Sequence, residues 1–235
     1  METKIINAET EGVVRTEEGY KIEKIDFDGN VKVELDNLLI VKKGVKAKGW
    51  IEVQKGIQAG LGIKAGWGIE AGSGIEAGSG IEAGWGIKAG SGIEAGSGIQ
   101  AGSGIKAGWG IHAGDGIKAG CGIEAGSGIE AGSGIEAGWG IKAGSGIEAG
   151  SGIQAGSGIE AGWGIEAGTF IDCGKRIFAG TSVYRDCDDE IKTIKCQELR
   201  SGVICYGDLV LTGKEEPKDE RKDTQESQQQ ISDGQ

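Results

Sequence analysis

Isoleucine stands at every sixth position from Ile57 to Ile177, 21 times in one register, and a glycine follows three residues after each, from Gly60 to Gly180. The repeating unit is Gly-Ile-x-Ala-Gly-y. Ile and Ala alternate with x, so the two apolar residues face one way and x the other, as a three-residue strand requires. The x slot agrees, holding only Glu, Lys, Gln or His from Gln58 to Glu166. Glycines on both sides of y mark positions that need positive φ or close backbone approach, which predicts a corner at Gly-y-Gly between short strands. A unit this small buries its apolar side only against copies of itself. The pattern therefore predicts an all-β protein, a parallel β-solenoid with no helix.

A second, longer repeat sets the coil. Residues 68–109 and 122–163 are identical at every position except that Lys106 corresponds to Glu160, and the offset is 54 residues. Fifty-four is three coils of 18 but four and a half coils of 12, so a duplication that keeps each residue on its face favours three hexads per coil. Twenty-one units then make seven coils, about 34 Å of rod at roughly 4.8 Å per stacked strand.

The recurring aliphatic residue and small residues over 45–183 resemble the hexapeptide-repeat left-handed β-helix family, whose 18-residue coils form a triangular prism. The chain departs from that family by using Lys and Gln after the aliphatic residue. It also places Trp67, Trp85, Trp109, Trp139 and Trp163 in a slot that the family fills with small residues. Handedness and corner geometry stay open on these grounds. The organisation expected is an N-terminal β cap over 1–44, the solenoid over 45–183, a C-terminal β cap over 184–213 and a disordered polar tail over 214–235. Upstream, Val33, Leu39, Val45 and Ile51 carry the aliphatic slot into the first cap.

With three hexads per coil, the x residues form three columns. The first reads Gln58, Glu76, Glu94, His112, Glu130, Glu148, Glu166; the second Lys64, Glu82, Gln100, Lys118, Glu136, Gln154, Asp172; the third Glu70, Lys88, Lys106, Glu124, Lys142, Glu160. The last two mix signs. The first stacks like charges about 5 Å apart, a mildly destabilising arrangement, and is a candidate docking surface or else a solvated face kept charged against aggregation. The y slot holds Ser, Asp, Lys, Cys, Thr, Leu and Trp, a variety that a close-packed interior would not tolerate. Its five Trp are thus expected at the surface, as binding anchors or as covers over glycine-rich corners.

Composition narrows the function. A net charge of −11 argues against direct binding of nucleic acid or anionic membrane. The single proline rules out collagen-like structure despite 49 glycines. No 18-residue apolar run or secretory h-region is present in the sequence, so a cytoplasmic location is expected. Five cysteines without a CxxC pair read as free thiols. The even spacing of Cys187, Cys196 and Cys205 invites a zinc reading, but structural zinc favours paired ligands two to four residues apart. Buried apolar residues of the C-terminal cap are the favoured reading, and no cofactor or metal is expected. The family resemblance brings in acyltransferases that work through a histidine. His112, the one histidine, merely occupies an x slot, and no loop interrupts the repeats to enclose a substrate. The family's zinc-dependent carbonic anhydrases use three histidines. The regular Thr rows of ice-binding solenoids reduce here to Thr169 and Thr181.

The expected protein is a non-enzymatic rod that presents an acidic, Trp-studded surface to a protein partner. Its sharpest form is a decoy or inhibitor, a nucleic-acid mimic of the kind found in phage and mobile elements, occupying a basic nucleic-acid-binding protein. The candidate partner-binding residues are the five Trp with Glu76, Glu94, Glu130, Glu148 and Glu166. The alternative is a self-assembling structural rod, a homo-oligomer.

Overall fold

A computed structural model describes residues 1–181 and 192–212. Each hexad of the rod contributes one strand of Ile-x-Ala, and the ladder joins each strand to the one 18 residues away, as Ile81 to Ile99 and Ile99 to Ile117. The coil therefore has three strands and the rod three faces. Face 1 is one 12-stranded sheet; faces 2 and 3 run together into a 19-stranded sheet. Face 1 contains Ile57–Ala59, face 2 Ile63–Ala65 and face 3 Ile69–Ala71, each repeated coil after coil. Among the described residues no helix forms.

Inside the prism, each face supplies one Ile and one Ala, the Ile no more than 1 % and the Ala no more than 3 % exposed. Burying one such Ile contributes about 1.5–3 kcal/mol. The core is a continuous stack of the same two residues, and it leaves the outward residues free.

The corner explains the invariant glycine. Within the regular repeats no glycine has positive φ; the only one in register that does is Gly180 at the end of the run. Close approach is the cause instead. A Cβ at the glycine after Ala, at Gly102 for example, would drive into the carbonyl oxygen of Gly84 one coil earlier. The same collision recurs at every such glycine from Gly60 to Gly174. The glycine before Ile is less restricted: a Cβ on Gly104 would lie 3.2 Å from the Gly122 carbonyl oxygen. Trp50, Phe170 and Arg176 take that second slot at the ends of the rod.

The N-terminal strands β1 (Thr3–Ile6), β2 (Val14–Arg15), β3 (Tyr20–Ile22), β4 (Ile25–Phe27) and β5 (Asn30–Val33) continue the stacking below β6 (Leu39–Val41), β7 (Val45–Ala47) and β8 (Ile51–Val53). β3 pairs with β6, β4 with β7 and β5 with β8, all parallel, and β1 lies on β5. β2 folds back antiparallel on β3 and covers the end of face 1. Here the aliphatic register differs from the six-residue reading. Val31 aligns with Ile51, 20 residues on, and Val33 falls opposite Val53 in the Ala slot. The longer coil shifts the register by two, which preserves the inward face because strand periodicity is two.

At the other end, the strand Phe170–Ala179 turns from face 2 to face 3, pairing with Ile153–Ala155 and then Ile159–Ala161. Thr193–Cys196 stacks on face 1 over Ile165–Ala167, Glu198–Tyr206 stacks on Phe170–Ala179, and Asp208–Leu211 closes face 1. The expected tail, residues 184–191 and 213 of the expected C-terminal cap, and the last two residues of the expected solenoid, 182–183, lie outside the described residues.

The corner argument separates two substitutions of one chemistry. Gly102→Ala is expected to lower stability by about 1–3 kcal/mol through overpacking, and Gly104→Ala by clearly less, measured as urea midpoints of the two variants. Equal losses would remove the carbonyl collision as the reason for the invariant glycine.

Candidate functional site: the outward columns and the Trp corners

In-register stacking turns the x slots into continuous columns, and the three columns differ in how they satisfy their charges. On face 2, Lys64 bridges Glu82 at 2.7 Å and Lys118 bridges Glu136 at 2.9 Å. On face 3, Lys88 pairs with Glu70 at 2.7 Å, Lys106 with Glu124 at 3.0 Å and Lys142 with Glu160 at 3.1 Å. Each pair is an exposed coil-to-coil contact, worth little alone.

Face 1 has no such cation within the regular repeats. Glu76 stands beside Glu94, Glu130 beside Glu148, and Glu148 beside Glu166. The column's relief comes from Gln58, whose Nε2 donates to Glu76 Oε1 at 2.8 Å, and from Lys195, whose Nζ lies 4.0 Å from Glu166 Oε2; His112 Nε2 lies 3.9 Å from Glu130 Oε1. His112 is half exposed between Glu94 and Glu130. It sits as one more outward residue of the column.

The Trp residues divide between two corners. Trp67, Trp85 and Trp139 occupy the corner between faces 2 and 3, which the backbone bonds Trp85 N–H to Trp67 O and Trp139 N–H to Cys121 O stack in one line. Trp67 and Trp85 are ring-stacked, with centroids 5.5 Å apart and planes 9° from parallel. Trp109 and Trp163 occupy the corner between faces 3 and 1. All five are 39–68 % exposed. Trp109 lines the groove on face 1 together with Glu76, Glu94 and His112, and Trp163 lines it together with Glu130, Glu148 and Glu166. The structure thus brings two of the five Trp to the glutamate column and leaves three on the opposite corner. Assigning each Trp to the hexad it ends conceals this, because Trp109 and Trp163 are also the residues from which face 1 strands start.

The corner does not depend on Trp. Ser103 N–H donates to Trp85 O at 2.9 Å, Trp139 N–H to Cys121 O at 3.1 Å and Ser157 N–H to Trp139 O at 2.9 Å, so the bonds are alike whichever residue fills y. The open grooves recur on faces 2 and 3, lined by the same Gly-Ile-x positions, and follow from the repeat itself.

No family model, no curated protein and no solved structure matches this chain.

Sequence reading missed the closing cation of face 1, Lys195, because it belongs to a strand outside the repeat. It also missed the contact of Arg200 over the Phe170 ring, 3.7 Å from guanidinium carbon to ring centroid. Among the described cysteines, Cys173 and Cys196 are buried in the core stack, Cys121 is half-buried in the Trp67 corner line and Cys205 is exposed. Burial pushes the Cys173 and Cys196 thiols above the ordinary thiol range. No group of three metal-ligating side chains forms among the described residues; Cys187 lies outside them.

Two measurements follow from this geometry. Glu148→Lys places a cation between Glu130 and Glu166 and is expected to raise the melting temperature slightly at low salt, the gain shrinking as salt rises. A gain that persists unchanged at high salt would mean that like-charge stacking is not what it relieves. With iodoacetamide under native conditions, followed by peptide mass spectrometry, Cys205 is expected to label first among the described cysteines, whereas Cys173 and Cys196 label only on unfolding.

Proposed function

We propose that this protein is a non-enzymatic binding rod whose face 1 docks a basic surface of a protein partner. The observation that supports this reading is the segregation of charge. Faces 2 and 3 pair cations with anions from coil to coil, whereas face 1 stacks Glu130, Glu148 and Glu166 with no cation among them. A charged coat serving solubility alone gains nothing from collecting its uncompensated acids on one face. A basic partner relieves that repulsion and is steered to it in solution. Trp109 and Trp163 at the border of the same face add aromatic surface suited to Arg and Lys side chains.

Within this reading, a decoy for a nucleic-acid-binding protein is the specific form we favour. The carboxylates are spaced about 4.8 Å apart, against one phosphate charge per ~1.7 Å of duplex axis. This density suits a short basic patch rather than a whole duplex footprint. A histidine general base needs a substrate held within hydrogen-bond reach; the open, repeating groove around His112 favours the binding reading over acyl transfer.

The test is affinity capture with wild type and with the triple variant Glu94→Gln, Glu130→Gln, Glu148→Gln. Wild type is expected to retain a basic, nucleic-acid-binding protein in a salt-sensitive manner, and the variant to lose it while keeping its β-rich circular dichroism. Equal capture by both would remove face 1 as the docking surface.

A further inference from the structure

We propose that face 3 is a self-recognition surface on which two copies of this chain pack antiparallel about a two-fold axis. This goes beyond the face 1 reading and uses different residues for its charges. Along face 3 six successive rows carry the outward side chains Lys32, Glu52, Glu70, Lys88, Lys106 and Glu124, and Lys142 and Glu160 continue the column beyond the proposed contact. The signs of the six rows run plus, minus, minus, plus, plus, minus. Reversing that order gives the opposite sign at every row. A second copy turned end for end, with the axis crossing between Glu70 and Lys88, therefore sets Glu70 against Lys88, Glu52 against Lys106 and Lys32 against Glu124 of its mate.

The borders of the face obey the same operation. A two-fold axis lying across the rod brings like corners together. On the corner between faces 2 and 3, the stacked Trp67 and Trp85 flank the axis, so Trp67 meets Trp85 of the other copy and four indoles gather at the centre of the contact. On the corner between faces 3 and 1, backbone bonds stack Lys55, Ser73, Ser91 and Trp109 in order. The operation then sets Ser73 against Ser91 and the exposed Lys55 against Trp109, a cation over an indole.

Each residue type thus meets a suitable partner in an isologous contact. Six rows span about 24 Å. The rim charges set register and orientation, and the central indoles supply the apolar area, about 150–250 Å² for each one buried. The other faces suit this arrangement less well. Face 1 would oppose carboxylate to carboxylate. Face 2 carries uncharged Gln100 and Gln154 in its column and Trp on one edge only.

Sedimentation equilibrium of the full chain tests the proposal by charge exchange. In a homodimer, Lys88→Glu sets the Glu70 carboxylate against a second carboxylate, and Glu70→Lys sets an ammonium against that of Lys88; each variant alone is expected to weaken the dimer about tenfold or more. Mixing the two variants restores complementarity at both rows and is expected to recover a heterodimer near wild-type strength. Circular dichroism confirms that each variant is folded. Trp85→Ser is expected to weaken the dimer also, whereas the face 1 triple Gln variant leaves it unchanged, which separates this surface from the face 1 reading. A wild-type chain that stays monomeric at all concentrations, a dimer indifferent to both single variants, or a mixture that fails to restore association would each overturn it.

Discussion

The carbonyl oxygen that each corner presents to the coil after it is the constraint on which this structure depends. Successive coils are joined at the corners by backbone bonds, as from Gly102 N–H to Ala83 O and from Ser103 N–H to Trp85 O. Within the regular coils the backbone of one coil lies so near the next that a Cβ after the Ala slot would meet the carbonyl oxygen one coil earlier, whereas Lys42, Lys48 and Gln54 fill that slot above the longer N-terminal coil. Glycine is required there for space rather than for left-handed backbone. With the corner fixed, the coil length is fixed, the strands stack in register, and the outward residues of successive coils must form columns. Ile fills the interior of that frame, but the corner decides the frame.

Columns make the chemistry of one residue depend on residues 18 positions away. The single difference between the two long repeats illustrates this. In the first copy Lys106 has Glu124 above it and bonds to it. The equivalent position in the second copy has Phe178 above and Lys142 below. A lysine there would face only another lysine, and Glu160 instead forms an ion pair with Lys142. The duplication thus departs from identity where the end of the rod removes a partner. Face 1 lacks such balancing, so its excess of carboxylates is a property of that face rather than of the whole surface.

Much of the fold was legible in the sequence because it is written in one slot pattern. The Ile and Gly spacing supplies strands and corners, and the 54-residue offset supplies the 18-residue coil. Glycine alone could not distinguish positive φ from close approach, since both call for a missing Cβ; only the position of Gly84 O relative to Gly102 does so. The slot of Val33 was misread because a 20-residue coil and an 18-residue coil bury residues of the same parity. The candidate site was legible as columns and only partly as a place. Trp109 ends one hexad yet borders the face begun by the next, and Lys195 reaches Glu166 from a strand without the repeat.

The indifference of the fold to its outward slots bears on what the Trp residues are for. At the same corner line Trp, Ser and Cys give backbone bonds of 2.9–3.1 Å, so Ser would serve the corner as well as Trp. Yet Trp85, Trp109 and Trp139 keep 61–68 % of their surface in solvent. A large apolar side chain that the fold does not need, and that remains mostly uncovered, is better explained by something that covers it in a complex. Trp67 and Trp85, already stacked on each other, present one broad apolar surface, whereas Trp163 stands singly beside carboxylates. The two corners therefore suit different contacts: an apolar, self-complementary one across face 3, and a cation-receiving one beside face 1. The core places no demand on either corner, so one rod could present both proposed surfaces.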